Sequence, residues 1–436
     1  MKEKTPNWLK LDNAATIYPS TLSRKYAAMF RVSMTLKDKI DKDVLQCALN
    51  NVIDRFPTFK YKLKQGLFWC YFKRIKDNPI IEQDYNNPMF RIKFKNHRNY
   101  LFRVRYYENR IAVEFFHALT DGTGAIIFIS TLVGEYIKLK YNTKITYNNY
   151  VLNPNEKVSK EEYSDDFKKY ARKAGKLVHE KPAYHYKGTL INNNDLNVIT
   201  GIIKINDLKK ITKKYNCTIT CLLASLYILS IQELYNREHK KKNKEVKISI
   251  PVNLRNYYKS NTMRNFSSYI NVGIDTIYGN YSLEEIIKIV KNTMELNLTE
   301  KMLNAKISAN VKIARNYFIR LLPMFIKKHI MSFTEKMMGD RYCSNTLSNL
   351  GNIVLPKEVE KYVLEMGIAI GKSRGKPASS AMVGYNGNLY ITITRKIKEA
   401  EFERILFTTL VEMGVPVLIE SNRRLWWVIA LIVELN

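Results

Sequence analysis

Apolar and polar positions along this chain trade places in a strand-then-helix rhythm. Tyr26 to Leu36 reads as a strand. Asp41 then stands as an N-cap ahead of Val44, Leu45, Ala48, Leu49, Val52, Ile53 and Phe56 at helical spacing, and Pro57 stops that helix. Leu101–Tyr107 and Ile111–Phe116 flank a turn at Glu108-Asn109-Arg110 and predict a hairpin. Gly122 to Ile137 follows as a helix with Ile126, Ile129, Val133 and Ile137 on one face. Residues from about Tyr141 to Lys181 are polar and weakly patterned, a connecting segment expected to be partly helical around Tyr163 to Leu177.

The alternation then resumes. Asn197 to Ile205 is a strand, Asp207 is expected to cap a helix carrying Leu208 and Ile211, and Thr220 to Ile231 is apolar on nearly every face, as in a buried helix. Arg237 to Glu245 is a basic surface loop, and Val246 to Val252 another strand. Ser282-Leu283-Glu284-Glu285 is a capping box opening a helix through Ile286, Val290, Met294 and Leu298. Asn386-Gly387 between Ala381–Tyr385 and Leu389–Thr394 predicts a two-residue hairpin, and Phe402 to Met413 a last helix stopped by Gly414. The pattern gives two successive α/β halves with strands and helices intermixed, and no short repeat.

Composition adds little until charge is counted. The 436 residues suit two domains of ordinary size, and 46% apolar residues argue against wholesale disorder. Five cysteines, odd in number and without a Cys-x-x-Cys pair, read as reduced packing residues of a cytoplasmic protein, with no metal cluster. Met-Lys-Glu-Lys-Thr-Pro has no apolar run behind it, so no signal peptide is expected. Trp426–Leu435 is too short to span a bilayer, and Tyr317–Met331 is broken by Arg320, Lys327, Lys328 and His329; both remain compatible with peripheral contact at a membrane surface. The apolar, basic stretch from Lys301 to Met338 fits either a greasy acceptor near such a surface or ordinary helices with solvated lysines. The net charge of +31 attracts polyanions. No zinc-finger, helix-turn-helix or RNA-binding signature accompanies it, and the lysines are spread among abundant Asn, Ile and Tyr, so nucleic acid is not the expected partner.

The chemistry concentrates in Phe115-Phe116-His117-Ala118-Leu119-Thr120-Asp121-Gly122-Thr123-Gly124. A histidine ends an apolar strand, an aspartate follows four residues later, and a glycine permits a sharp turn into a helix. An imidazole with near-neutral pKa suits proton removal from a hydroxyl or amine. The same spacing also fits a buried, hydrogen-bonded histidine beside a helix-capping aspartate.

His117-x-x-x-Asp121-Gly122 after a strand resembles the signature of the chloramphenicol acetyltransferase-like superfamily, which includes alcohol acyltransferases, condensation domains, wax ester synthases and bacterial alcohol acetyltransferases. Many members carry two histidines there; this chain has Phe116 at the first position and keeps His117 at the second, the one the family uses. Trp8-Leu9-Lys10-Leu11-Asp12-Asn13-Ala14-Ala15 resembles the opening of the bacterial alcohol acetyltransferase-like group. Arg55-Phe56-Pro57-Thr58-Phe59-Lys60 is similar to an Arg-His-Pro-x-Leu-Arg segment, and Leu101-Phe102-Arg103-Val104 to the family's Leu-Phe-Arg strand. Pro251-Val252-Asn253-Leu254-Arg255 and Asn265-Phe266-Ser267-Ser268 resemble regions of wax synthase-like members, and Ser348-Asn349-Leu350-Gly351 resembles the family's Ser-Asn-x-Gly strand that faces the histidine across the tunnel. The Asp-Phe-Gly-Trp-Gly motif of the plant enzymes is absent.

The resemblance implies an α/β fold of mixed sheets, with two acyltransferase-like domains (1–180, carrying the histidine motif, and 181–436) and a tunnel between them. It implies His117 as general base, direct attack of an alcohol or amine on an acyl-CoA thioester, no bound cofactor and no covalent intermediate. Ser348 or Asn349 would donate to the oxyanion, with a strand-end turn as the plainer reading of both, and Asn253 and Arg255 would lie near the tunnel. Asp121 is expected to be structural, paired with Lys60 or Arg55, with Arg255 as a third candidate. Phosphates of CoA would meet lysines at the tunnel mouth, the loop Lys240–Lys244 being one candidate. The expected protein is a monomer. A condensation-type enzyme using a carrier-protein thioester, and a catalytically silent binding protein of the same fold, are the alternatives; intact His117 and Asp121 argue against the second.

Overall fold

A computed structural model describes residues 6–22, 26–84, 88–89, 92–172, 180–191, 195–238, 244–334 and 340–422. The expected apolar tail Trp426–Leu435, and most of the loop Lys240–Lys244, lie outside them.

The first sheet runs Val363–Ile370, Met29–Leu36, Arg110–Phe116, Phe102–Tyr107, Ile81–Gln83, antiparallel except for its last pair. Strand alternation sorts its faces. Phe30, Val32, Met34 and Leu36 enter the core with Val113 and Phe115, and the helices Lys42–Val52 and Gly122–Tyr141 pack there. Arg31, Glu114 and Arg103 occupy the other face in cross-strand register. Glu114 is fully buried, accepts from Arg31 Nη1 at 2.9 Å and pairs with Arg103 Nη2 at 2.6 Å. Burial alone would raise its carboxyl, but Arg103, Arg31 and Arg105 hold it below the usual carboxylate range. A buried charge requires such partners.

The second sheet has seven strands, in the order Ser267–Asp275, Glu245–Asn253, Asn345–Ile353, Ala378–Tyr385, Asn388–Arg395, Asn197–Lys204, Leu418–Ser421. Its third strand, Asn345–Ile353, is parallel to both neighbours and shifts register between Asn349 and Asn352, with Gly351 at φ 77°. A third, three-stranded sheet joins Trp8–Lys10, Cys70–Arg74 and Tyr61–Gln65. Each large sheet has its own apolar core. The strand Val363–Ile370 comes from the second half of the chain and completes the first sheet, and Val383, Tyr385 and Tyr390 pack into the first core with it.

Locally encoded elements follow the sequence. Asp41 accepts from the backbone of Asp43 and Val44, Ser282 and Glu285 form the reciprocal capping box, and Asn386 (φ 47°) and Gly387 (φ 75°) make the two-residue turn. Three expectations change. Asp207 lies inside the first turn of the helix Ile205–Lys214, where the carboxylate still favours the positive helix end. Among its described residues the connecting segment forms the short helices Lys160–Tyr163 and Asp166–Tyr170, and residues 173–177 of the expected helix lie outside those described. The helix Gly122–Tyr141 is buried all round from Gly124 to Ile137, not on one face, because the strand sheet and the helices Lys42–Val52 and Lys357–Glu360 enclose it.

Candidate active site

His117 follows the last residue of the strand Arg110–Phe116, and its backbone N–H still donates to Ala28 O at 2.8 Å. The imidazole is thus fixed by the end of a ladder. Tyr18 stacks on it with ring centroids 4.9 Å apart, and Phe30 tilts against it at the same distance. Phe116 turns its ring the other way, toward Phe94 and the edge of Tyr18. Burial lowers the His117 pKa below its ordinary value of 6.5, against the opposing pull of Asp121 and Asn265. The ring is therefore neutral at pH 7.

The second half of the chain sets the tautomer. His117 Nδ1 lies 3.2 Å from Asn265 Oδ1, and Asn265 Nδ2 lies 3.5 Å from Asp12 Oδ2. A carboxylate only accepts, so the amide nitrogen must face Asp12 and the amide oxygen must face the ring. Nδ1 then carries the proton and Nε2 keeps its lone pair. Asp12 is anchored by Ala15 N at 2.7 Å and by Arg264 Nε at 3.4 Å. Its carboxyl is pushed up to about 6 by burial, with Arg264 opposing.

Asp121 caps the helix Gly122–Tyr141, its Oδ1 accepting from Gly124 N at 3.2 Å. Its Oδ2 accepts from Arg255 Nη1 at 2.8 Å and from Phe266 N at 2.9 Å. Arg255 spends its other donors on Thr262 O, Arg264 O and Asn253 Oδ1. Of the three cations weighed for Asp121, Arg255 is the partner. Lys60 reaches Asp54 and Asn78 instead, and Arg55 pairs with Glu162 and Glu156, both cations lying just past the end of the helix Lys42–Val52. Gly122 is the first helical residue and has no left-handed φ. Its missing Cβ makes room for Leu350, so the glycine serves close packing between the halves and not a turn. Gly124 serves likewise, a Cβ there falling 2.6 Å from Met263 O.

No family model matches the sequence, and no curated protein matches it. Solved structures do match in shape. Polyketide synthase associated protein 5 from Mycobacterium tuberculosis superposes with TM-score 0.61 at 13% identity, over 93% of this chain and 98% of that one. The epimerization domain from the third module of tyrocidine synthetase B gives 0.60 at 11%, over 95% and 98%. TRI101 of F. graminearum, solved with coenzyme A and T-2 mycotoxin, gives 0.60 at 9%, over 94% and 99%. The chain therefore shares its fold with these three structures.

Within this fold the remaining expected residues are spread unevenly around His117. Asn253 Nδ2 donates to Thr123 Oγ1 at 3.2 Å and Asn253 Oδ1 accepts from Arg255 N, so it ties the two halves beside Asp121. Leu350 brings the strand Asn345–Ile353 against Gly122. Ser348, ahead of the register shift, lies on one face of that strand. Asn349 lies on the other, where its amide donates to Thr220 Oγ1 at 2.9 Å. Tyr18, Phe30, Asp12 and Asn265 received no role from sequence reasoning. Asp12 and Asn265 stood within the segments that resemble the superfamily, and only the fold shows that they meet. Among the described residues no group of three or more His, Cys, Asp or Glu gathers as a metal site.

Asn265→Leu is expected to release Nδ1 and lower kcat by about 10–100-fold, the usual effect of losing a residue that orients a reacting histidine. Because the lost hydrogen bond raises the His117 pKa, the acid limb of the pH–rate profile should move to lower pH. An unchanged kcat and an unmoved limb would remove Asn265 from this positioning role.

Proposed function

We propose that the chain moves an acyl group from a CoA thioester to an alcohol or amine, with His117 as general base and no covalent acyl-enzyme. The superfamily fold also carries an epimerization domain, so the fold alone does not select the reaction. The observation that carries the proposal is the neutral His117 whose Nε2 lone pair is left for substrate by the Asn265 contact. Nε2 accepts the acceptor's proton as its oxygen or nitrogen attacks the thioester carbonyl. The tetrahedral intermediate then collapses, the C–S bond breaks, and the departing thiolate takes the proton back from the imidazolium. The hydroxyl of Ser348 suits the developing oxyanion better than the Asn349 amide, which is engaged by Thr220.

Phosphates of the cosubstrate would meet the basic segment Gly371-Lys372-Ser373-Arg374-Gly375. Gly371 N donates to Met29 O, and Met29 pairs with Phe116, so this segment starts two strands from the base, roughly 10 Å at ordinary strand spacing. Lys396 adds a further cation, its ammonium donating to the carbonyls of Ser373 and Arg374.

The test is thiol release from a panel of acyl-CoAs offered with alcohols and amines. Release that requires both partners is expected, and its absence across the panel would sink the reading. The Michaelis constant for acyl-CoA should rise with salt, since exposed charges are screened beyond about 8 Å at physiological ionic strength. A flat response would detach the +31 charge from cosubstrate binding.

A further inference from the structure

Residues 301–334 contain seven Lys or Arg and no Asp or Glu. The helix Tyr317–Leu321 in this stretch turns its rings outward: Tyr317 is 70% exposed and Phe318 80%. Phe325, in the next helix Met324–Thr334, is 61% exposed. The turn between the strands Tyr61–Gln65 and Cys70–Arg74 adds exposed Leu67 and Trp69. These pieces form one surface. Met324 N donates to Leu67 O at 2.6 Å, and Lys327 Nζ donates to Phe68 O at 2.7 Å. Large apolar side chains exposed together outside the core mark an interaction face.

The interleaved cations identify its occupant. A second copy of the chain would set Arg315, Arg320, Lys327 and Lys328 against their own duplicates in a molecule already carrying +31. An anionic lipid surface accepts both components at once, rings at the headgroup–acyl boundary and guanidinium or ammonium groups among the phosphates.

We propose that the Leu67–Trp69 turn and the helices spanning Tyr317–Thr334 form a docking surface for an anionic bilayer. The helix Met324–Thr334 packs on the short helix Tyr18–Thr21, where Ser20 Oγ donates to Met331 Sδ at 3.2 Å, and Tyr18 stacks on His117. The docked face is thus one short helix away from the base. On the acyl-transfer reading, this surface takes an apolar acceptor dissolved in the lipid.

Co-sedimentation of the full chain with vesicles tests the docking without any turnover. Binding is expected with phosphatidylcholine–phosphatidylglycerol vesicles and at least tenfold weaker with phosphatidylcholine alone. Phe318→Ser together with Phe325→Ser leaves the charge untouched and should weaken binding to the anionic vesicles at least tenfold, with the far-ultraviolet circular dichroism retained. Equal binding by the double variant would reduce the attraction to general electrostatics and overturn the proposal. So would a lipid-free dimer that the same substitutions dissociate. Turnover of a soluble acceptor alongside failed vesicle binding would overturn the docking surface and leave acyl transfer standing. Vesicle binding without turnover would do the reverse.

Discussion

His117→Ala is expected to lower acyl transfer by roughly 10²–10⁴-fold, the usual contribution of a positioned base, while the circular dichroism spectrum stays that of the folded chain. The ring's neighbours, Tyr18 and Phe30, belong to separately packed elements, and the strand bond from residue 117 to Ala28 is made by backbone. Turnover by the parent chain should itself titrate. Burial disfavours the imidazolium, so the base stays available below pH 6.5 and is lost only as pH falls through a lower value. The same shift has a sign in stability. Unfolded chains bind this proton first, so the His117 contribution to stability is present above pH 6.5 and declines as pH falls through the folded pKa. A variant with most of its turnover, or an acid limb centred above 6.5, would remove the base assignment.

Asp121→Asn is expected to be the more damaging change for the fold. One carboxylate oxygen accepts from both Arg255 Nη1 and Phe266 N, so an amide nitrogen placed there faces two donors. Stranding a buried charge in this way costs roughly 3–5 kcal/mol. The melting temperature should drop. The kcat should drop with it, because the Phe266 N–H held by Asp121 adjoins Asn265, which sets the His117 tautomer. Adding Arg255→Met to Asp121→Asn should cost less than the two single losses summed, since the variants share one contact. Additive losses, or a melting temperature unmoved by Asp121→Asn, would contradict this role.

What the sequence made legible is what neighbouring residues decide among themselves. The Asp41 cap, the Ser282–Glu285 box and the Asn386-Gly387 turn each close within a few positions, so their side chains announce them. The histidine motif is legible for the same reason. Its supports are not, because they arrive from far along the chain: Arg255 is 134 positions from Asp121, and Asn265 is 148 from His117. Lys60 and Arg55 were reasonable partners by charge, yet Asp54 and Glu162 lie nearer to them in the fold. Gly122 shows the same limit. A glycine beside an aspartate suggests a turn, and only the arrival of Leu350 reveals a packing requirement.

The strand Val363–Ile370 imposes an order on the birth of the molecule. Until the ribosome has supplied residue 370, the edge of Met29–Leu36 offers unpaired backbone groups, with apolar Phe30, Val32 and Met34 along the same strand. Such an edge pairs readily with any strand that presents itself. The nascent first half therefore carries an aggregation-prone edge, and a truncation before residue 363 leaves that edge uncovered.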